Sequence, residues 1–285
     1  MGSSMTLGVN TFLYTSRFTD ASVEIFPRLK ETGFGGVEIT LQEPDDFDAV
    51  TVKAVLDDNG LTCLSLCGLL GGGRDLRGNV EEQEASLRFL EHCIDTAAEL
   101  GCRLVSGPLY SRVGRAAYEE PQARELQFET AARHLSDLCD YAAGKGVTLG
   151  IEPLLRFETD LVNTCEDALK LIGQTERENI GVHLDTFHMN VEELDPVLAV
   201  VRAGEKLVNL HCSDNNRGAP GTGSFGWEGF FRALEFIKYT GPVILESFHP
   251  DAPEISYAAG IRRKTAETND ELARRACAFL SSLIR

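Results

Sequence analysis

Long hydrophobic runs are absent from this sequence. No stretch approaches the roughly 20 consecutive apolar residues that a helix needs to span a bilayer. The first residues also lack the basic and apolar regions of a secretory signal, so we expect a cytoplasmic protein with no membrane partner. Residues 1–4 resemble a remnant of cloning, and we expect the native chain to begin at Met5 and to form one domain over residues 5–285.

Basic residues are scarce. The chain has 27 lysines and arginines against 44 aspartates and glutamates, which gives a formal net charge of −17. A field of this sign repels phosphate backbones, so we expect no nucleic acid partner. A local basic pocket could still bind a small anionic substrate, because short-range contacts can outweigh the field of the whole molecule.

The cysteines show no disulfide or metal motif. The eight cysteines form no Cys-x-x-Cys pair and lie in apolar segments rather than in turn-rich ones. A disulfide framework is typical of a smaller, secreted chain. The pattern therefore predicts free, buried thiols.

Short runs of apolar and β-branched residues alternate along the chain with longer segments of helical spacing. The runs are predicted strands, at residues 7–10, 36–40, 61–66, 103–107, 147–152, 180–185, 207–211 and 243–246. The predicted helices cover residues 22–32, 50–58, 81–100, 121–143, 166–172, 194–203, 227–239 and 269–283. Strict alternation of this kind requires right-handed crossovers and a parallel sheet.

Eight such repeats in a chain of 285 residues fit a closed barrel. The competing architecture is an open doubly wound sheet, which carries a glycine-rich loop after its first strand when it binds a dinucleotide. Here that position is Asn10-Thr-Phe-Leu-Tyr14, which is not glycine-rich. The sequence therefore predicts an α/β fold, a (β/α)8 TIM barrel in a single domain.

Four successive predicted strands of the second half end with, or close to, a side chain that can bind a metal ion. These residues, separated by 33, 26 and 35 positions, are Glu152, Asp185, His211 and Glu246. Each separation is about one β/α unit, so all four would point into the same mouth of the barrel, where active sites of this architecture lie. Three converging carboxylates would repel one another without a cation, and we therefore expect one divalent metal ion per chain.

The donor set indicates the class of metal. An oxygen-rich set with one imidazole suits Mn²⁺, Mg²⁺ or Co²⁺, and suits Zn²⁺ less well. Cys212 lies next to His211, but consecutive strand residues point to opposite faces, so we expect Cys212 to be buried between barrel and helix. His183 has the same strand parity as Asp185, and we expect it in the barrel below the metal, as a support for the ligands.

Motifs around these four positions are similar to those of one enzyme family. They are Glu152-Pro-Leu-Leu-Arg-Phe-Glu158, Asn163-Thr164, Leu184-Asp-Thr-Phe-His-Met-Asn190 followed by Glu192-Glu193, and His211 with Asn216-Arg217, Pro220-Gly221 and Trp227. From about Val147 to Glu246 the chain resembles the ketose 3-epimerases, the D-tagatose and D-allulose 3-epimerases of the xylose-isomerase-like barrels. Before Val147 the resemblance is thin.

The resemblance implies a metal site formed by the four residues above, with Mn²⁺ preferred and Co²⁺ or Mg²⁺ as alternatives. Three further residues would hold substrate oxygens, namely Glu158, His188 and Arg217. Such enzymes act on a ketose, and Glu152 and Glu246 would exchange the C3 proton on opposite faces of an enediolate. The resemblance further implies a homo-oligomer, a dimer or a tetramer.

Other positions depart from the family pattern. Ser213-Asp-Asn-Asn-Arg217 stands where the related enzymes usually carry Glu-Ala-Asn-Arg, and Ser247-Phe-His-Pro250 replaces a Pro-Phe pair. Arg112 or the cluster Arg262-Arg263-Lys264 could recognise a carboxylate or a phosphate, although we expect that cluster to be a charged run on a surface helix. The exact sugar, and whether it is phosphorylated or acidic, therefore stay open.

Three other functions are compatible with the barrel. A sugar or sugar-phosphate isomerase, or a keto-inositol isomerase or dehydratase, would use the same enediol chemistry. A barrel endonuclease would need a trinuclear zinc site with more histidines than the six present, and the net charge of −17 opposes it. A sugar-binding protein without activity would not need two glutamates among the ligands. The paired glutamates favour the epimerase.

Overall fold

A closed ring of eight parallel strands forms the centre of the molecule in a computed structural model, which describes residues 5–117 and 120–284. The strands are β1 (Thr6–Asn10), β2 (Gly36–Leu41), β3 (Thr62–Gly68), β4 (Leu104–Gly107), β5 (Thr148–Ile151), β6 (Ile180–Asp185), β7 (Leu207–Cys212) and β8 (Pro242–Leu245). Successive strands are neighbours, and β1 closes the ring by pairing with β8, where Leu7 lies opposite Val243. The predicted barrel is confirmed, and the predicted cloning remnant, residues 1–4, lies outside the described residues.

Helices surround this ring. In the described parts of the chain they are α1 (Phe26–Thr32), α2 (Ala49–Asp58), α3 (Val80–Glu99), α4 (Pro121–Ala143), α5 (Cys165–Thr175), α6 (Thr186–Glu192), α7 (Pro196–Ala203), α8 (Trp227–Phe236), α9 (Pro253–Ala258) and α10 (Asn269–Leu283). The helix predicted at 194–203 begins two residues later, because the Asp195 carboxylate accepts the N–H groups of Val197 and Leu198 and Pro196 occupies the first turn. The described helices include none that is both long and apolar enough to cross a bilayer.

The strand β2 shows how the interior is divided. All six of its residues are buried, as expected for a parallel strand that is covered on both faces. Val37, Ile39 and Leu41 belong to the apolar core between strands and helices. Glu38 has the opposite parity and contacts His211 of β7 across the barrel. The barrel therefore has an apolar outer layer and a polar interior, and the site is built on that interior.

Two smaller predictions have different outcomes. All eight cysteines are free and buried, as predicted, and Cys212 is fully buried. The prediction of a helix for Arg262-Arg263-Lys264 is wrong, because these residues lie in the loop between α9 and α10. Gly260, with φ of 75°, follows α9 and adopts the left-handed conformation that ends a helix, so the chain cannot continue helically through the cluster.

Candidate metal and substrate site

The four predicted ligands lie together at the carboxyl ends of β5 to β8. One potential ligand atom of each residue lies within 4.8 Å of the others, and all four side chains are buried. The four are Glu152, Asp185, His211 and Glu246. The structure thus brings together side chains that are far apart in the sequence, as the strand phase predicted.

Backbone contacts hold these residues in place. The Glu152 N–H donates to the Gly107 carbonyl at 3.1 Å, and the Glu246 N–H donates to the Cys212 carbonyl at 3.2 Å. Both glutamates thereby continue the pairing of their strands by one residue. Asp185 ends β6, and its Oδ1 accepts the Phe187 N–H at 2.8 Å as a cap of α6, which leaves Oδ2 facing the site.

Sequence reasoning missed one important residue, Glu38. Its Oε1 lies 2.6 Å from Nε2 of His211, and both side chains are fully buried. The contact directs Nδ1 of His211 toward the glutamates, 3.6 Å from Glu152 Oε1 and 3.3 Å from Glu246 Oε2. Histidines that bind metals commonly use one ring nitrogen for the ion and the other for a carboxylate. A charged residue between Val37 and Ile39 in a buried strand is the signal that could have identified it.

Neutral polar groups surround Glu38. Its carboxylate accepts Nδ2 of Asn10 at 2.7 Å and Nδ2 of Asn209 at 3.1 Å. Asn209 Nδ2 also lies 3.0 Å from the Ser106 hydroxyl, which is 2.7 Å from the hydroxyl of Ser65. Burial would raise the pKa of Glu38, but the charge and hydrogen bond of His211 outweigh it, so the pKa is lowered and the carboxylate stays charged.

The two glutamates of the cluster have opposite electrostatic environments. Burial raises the pKa of Glu152 to about 8. Burial acts in the same direction on Glu246, but the positive charges of His211 and Arg217 outweigh it and lower its pKa to about 2. Two neighbouring carboxyl groups whose pKa values are driven apart are suited to act as a proton donor and a proton acceptor.

Arg217 contacts the cluster directly. Its Nη1 donates to Asp185 Oδ2 and to Glu246 Oε2, both at 2.7 Å, and its guanidinium lies 4.2 Å from the centre of the Phe187 ring. Its φ of 60° is in the left-handed region that non-glycine residues rarely adopt. The loop holds this conformation because the Arg217 N–H donates to the Asp214 carbonyl and the Ser247 hydroxyl donates to the Arg217 carbonyl.

His188 is fixed in one tautomer. Its Nδ1 accepts the backbone N–H of Leu155 at 3.1 Å, which places the proton of the neutral ring on Nε2. Nε2 lies 3.5 Å from Asp185 Oδ2 and 3.3 Å from Nη2 of Arg217. Burial lowers the pKa of His188 to about 4, which keeps the ring neutral at neutral pH. Nε2 can therefore donate a hydrogen bond toward the cluster without carrying a full charge.

A cavity of about 450 Å³ opens above the cluster. Its lining consists of Phe12, Cys67, Leu69, Leu70, Pro108, Val113, Gly114, Glu152, Leu154, Phe157, Glu158, His188, Arg217, Glu246, Phe248, Ile255, Ala258 and Ala259. Glu158 reaches the cavity from the loop after β5, and burial raises its pKa. The cavity thus has a charged floor and mostly apolar walls, a combination typical of small-molecule sites.

The other cationic residues singled out in the sequence do not line this cavity, although Arg262 and Arg263 line a neighbouring one that also reaches Arg217. The Arg112 side chain is half exposed and lies 3.9 Å from the Asp75 carboxylate. The Arg262 guanidinium stacks 4.1 Å from the centre of the Tyr257 ring on the surface. Among the described residues, Arg217 is the one arginine or lysine whose side chain lines the cavity.

The donor set fits a divalent cation. Within the described chain, Nδ1 of His211 is buried and has no hydrogen-bond partner, although the other three members of the cluster are carboxylates. Burial would lower the pKa of His211, but Glu38 and Glu246 outweigh it and raise the pKa, so the position attracts positive charge. Three carboxylates with one imidazole are ligands that Mn²⁺, Co²⁺ or Mg²⁺ accept.

Comparison with known proteins agrees with this geometry. A ketose 3-epimerase of Arthrobacter globiformis is 33% identical over 279 residues, which cover 97% of this chain and 96% of that protein. An L-ribulose 3-epimerase of Methylomonas sp. (strain DH-1) is 31% identical over 250 residues, covering 87% of this chain and 86% of that protein. The crystal structure of a D-allulose 3-epimerase from Methylomonas sp. in complex with D-allulose has a TM-score of 0.90 and 28% identity, and covers 98% of this chain and 97% of that one.

The family model of the xylose isomerase-like TIM barrel matches residues 26–283, which include β2 to β8. The curated relatives match over a similar extent, so the likeness is not confined to the second half of the chain, where the motifs are densest. The chain therefore belongs to the xylose isomerase-like TIM barrel family and, within it, groups with the ketose 3-epimerases.

Proposed function

We propose that this protein is a metal-dependent isomerase that inverts C3 of a ketose such as D-tagatose, D-allulose or D-fructose. The observation that carries the proposal is the pair Glu152 and Glu246, which both line the cavity and each bring a carboxylate oxygen into the four-residue cluster. Inversion needs one group to take the C3 proton and another to return a proton from the opposite face. The likeness to relatives that are named ketose 3-epimerases supports the same reaction.

The chain's own residues have defined parts in this proposal. Glu152 and Glu246 hold and move the C3 proton, while Nε2 of His188 donates a hydrogen bond to a substrate oxygen on which negative charge develops. Glu158 accepts a hydrogen bond from a hydroxyl group farther from C3, and Arg217 contributes a second donor. A divalent ion held by Glu152, Asp185, His211 and Glu246, with Mn²⁺ preferred and Co²⁺ or Mg²⁺ as alternatives, supplies charge stabilisation for the substrate oxygens.

We further propose that the enzyme is cytoplasmic and that it forms a homodimer or a homotetramer. Free buried thiols fit a reducing compartment. Leu194, Val197 and Leu198 form an exposed apolar surface at the start of α7, with Leu194 fully exposed, which supports contact with a second subunit. The mass of the protein in solution, measured by analytical ultracentrifugation, tests the assembly.

The test of function is the position of isotope uptake. Protein loaded with Mn²⁺ is incubated in D₂O with D-tagatose, D-allulose and D-fructose in turn, and the products are separated and examined by NMR. Epimerisation by two glutamates places deuterium at C3 of the product ketose, because a carboxyl group that has exchanged with solvent returns deuterium. Deuterium at C1 or C2 together with an aldose product would overturn the epimerase in favour of an aldose–ketose isomerase.

A further inference from the structure

His183 of β6 is a fully buried histidine whose ring nitrogens both lack a hydrogen-bond partner within the described chain. Its ring lies edge-on against that of His211, with 4.0 Å between the ring centres. Nδ1 is 3.8 Å from Oε2 of Glu152, which is too long for a hydrogen bond. Buried polar atoms are nearly always paired, because an unpaired group loses its hydrogen bonds to water without replacement. Two unpaired ring nitrogens on a fully buried histidine therefore indicate that the ring binds a ligand.

The neighbouring acidic groups already have a cation. Arg217 Nη1 lies 2.7 Å from both Asp185 Oδ2 and Glu246 Oε2, and the other oxygen of Asp185 accepts the Phe187 N–H. These contacts engage both oxygens of Asp185, so an ion bound to Asp185 takes the place of Arg217 on Oδ2. Within the described chain, Arg217 donates no hydrogen bond to three other buried groups that face one another, namely Glu152, Nδ1 of His211 and the ring of His183.

These three residues form a compact donor set of their own. One ligand atom from each of Glu152, His183 and His211 lies within 4.8 Å of the others, and all three are buried. His183 precedes Asp185 by two residues in β6, which places it about 7 Å deeper along the strand. We call the set of Glu152, Asp185, His211 and Glu246 the outer position. The set of Glu152, His183 and His211 is the inner position.

We infer that the protein has a second, inner cation position formed by Glu152, His183 and His211, which selects Zn²⁺ over Mn²⁺. Two imidazoles and one carboxylate are ligands typical of Zn²⁺, whereas the outer position, with three carboxylates, suits Mn²⁺. The inference rests on the proposed function only for the use of the outer position, since the inner donor set stands on contacts of its own.

The two positions exclude each other. Nε2 of His211 is engaged by Glu38, so a single nitrogen of that ring is available to an ion. An ion at the inner position therefore uses His211 Nδ1 and Glu152, and leaves Asp185 and Glu246 to Arg217. It lies below the cavity floor, so we expect Zn²⁺ to displace Mn²⁺ competitively and to inhibit rather than support turnover.

The test compares metal binding in wild-type protein and in His183→Phe, which keeps a flat ring against His211 but removes both nitrogens. Binding of Zn²⁺ and of Mn²⁺ to metal-free protein is measured by isothermal titration calorimetry. We expect the Zn²⁺ affinity to fall by about 10-fold or more, which is the size of the affinity loss when residues around a bound metal are mutated. The Mn²⁺ affinity should change by less than about 3-fold. His134→Phe removes a histidine that bonds Gln83 on the outer helices and should leave both affinities unchanged.

Two readouts keep the inference falsifiable if His183→Phe folds poorly. His183→Gln preserves polarity and should also weaken Zn²⁺ binding, and the visible absorption spectrum of Co²⁺-loaded protein should change when an imidazole ligand is lost. An unchanged Zn²⁺ affinity with an unchanged Co²⁺ spectrum in either folded variant would overturn the inner position. Such a result would leave Mn²⁺ binding and C3 epimerisation intact, so it is distinguishable from failure of the proposed function.

Discussion

The carboxyl ends of β1–β4 and of β5–β8 face the same cavity but contribute different chemistry. The second half brings a carboxylate or an imidazole at the end of each strand. In the first half, β1 ends at Asn10, while β3 and β4 end in Gly68 and Gly107. Apolar residues of the adjoining loops, such as Phe12 and Leu69, form cavity wall there. In this barrel the reactive groups of the cavity come from the second half, whereas the first half contributes cavity wall without them.

One residue of the first half breaks this division. Glu38 of β2 crosses the interior to His211 of β7, and it carries the charge that orients that ring. The first half therefore contributes to the chemistry indirectly, through a residue that does not line the cavity. Measurements on each half can establish how complete the division is.

The largest effect should follow from removal of the cation that the second half requires. Exhaustive chelation should abolish turnover and lower the melting temperature, because the three converging carboxylates are then compensated only by Arg217 and His211. Addition of Mn²⁺ should restore both properties, measured by a ketose assay and by thermal unfolding. Full activity of a preparation shown to be metal-free would contradict the prediction.

Glu152→Gln and Glu246→Gln should each reduce kcat by about 10²- to 10⁴-fold, since each removes one of the two proton-transfer groups. The variants must be compared at matched metal content, determined by elemental analysis, because both residues also belong to the ligand set. Glu158→Gln is the matched control, and we expect it to raise KM more than it lowers kcat. Near-normal turnover by either metal-loaded variant of the pair would rule out two-base catalysis.

Glu38→Gln tests the exception in the first half. Loss of the carboxylate that orients His211 should weaken metal binding by about 10- to 100-fold, while kcat at saturating metal changes little. Glu43→Gln serves as the control, because this exposed carboxylate pairs with Arg74 outside the barrel interior. If metal affinity is the same in both variants, Glu38 has no part in the site and the division between the halves is complete.

His188 should make stability depend on pH. Its pKa in the folded protein is about 4, against an ordinary value of 6.5, so the unfolded chain binds a proton first as the pH falls. Stability is therefore lost between pH 6.5 and 4, by up to about 3 kcal/mol from this group. The comparison is urea unfolding of wild type and His188→Gln over this range. Parallel curves for the two proteins would show that the ring is not held neutral.

The smallest effect should come from the apolar wall of the first half. Val113→Ala removes part of the cavity lining without touching a polar group, so it should raise KM by about 2- to 5-fold and leave kcat unchanged. Steady-state kinetics with the best ketose of the panel would test this. A fall in kcat as large as that of a glutamate variant would mean that shape and chemistry are not separable here.

The repeating unit of the barrel explains which parts could be read from the sequence. Strand ends recur about once per β/α unit, so the phase of Glu152, Asp185, His211 and Glu246 was visible without coordinates. Glu38 was not, because its partner is 173 residues away and no local pattern joins them. Helix α9 was missed because six residues are too few to show a helical period, although Ile255 and Ala258 line the cavity.

The contacts of Arg217 also lay beyond the sequence. The resemblance implied a residue that holds substrate oxygens, whereas the structure shows its guanidinium on two of the metal-competent carboxylates, Asp185 and Glu246. Side-chain partners of a loop residue depend on a backbone conformation that composition does not reveal, here a positive φ.

Closure of the ring between β1 and β8 has a consequence for biosynthesis. A ribosome delivers the chain from its amino terminus at about 5–20 residues per second, so β1–β4 emerge well before the half that carries the four metal-competent residues. The edge of β1 stays without its partner until Val243 pairs with Leu7, and Glu246 follows three residues later. The mutually repelling carboxylates can therefore meet only at the end of translation, when the last strand seals the barrel around them.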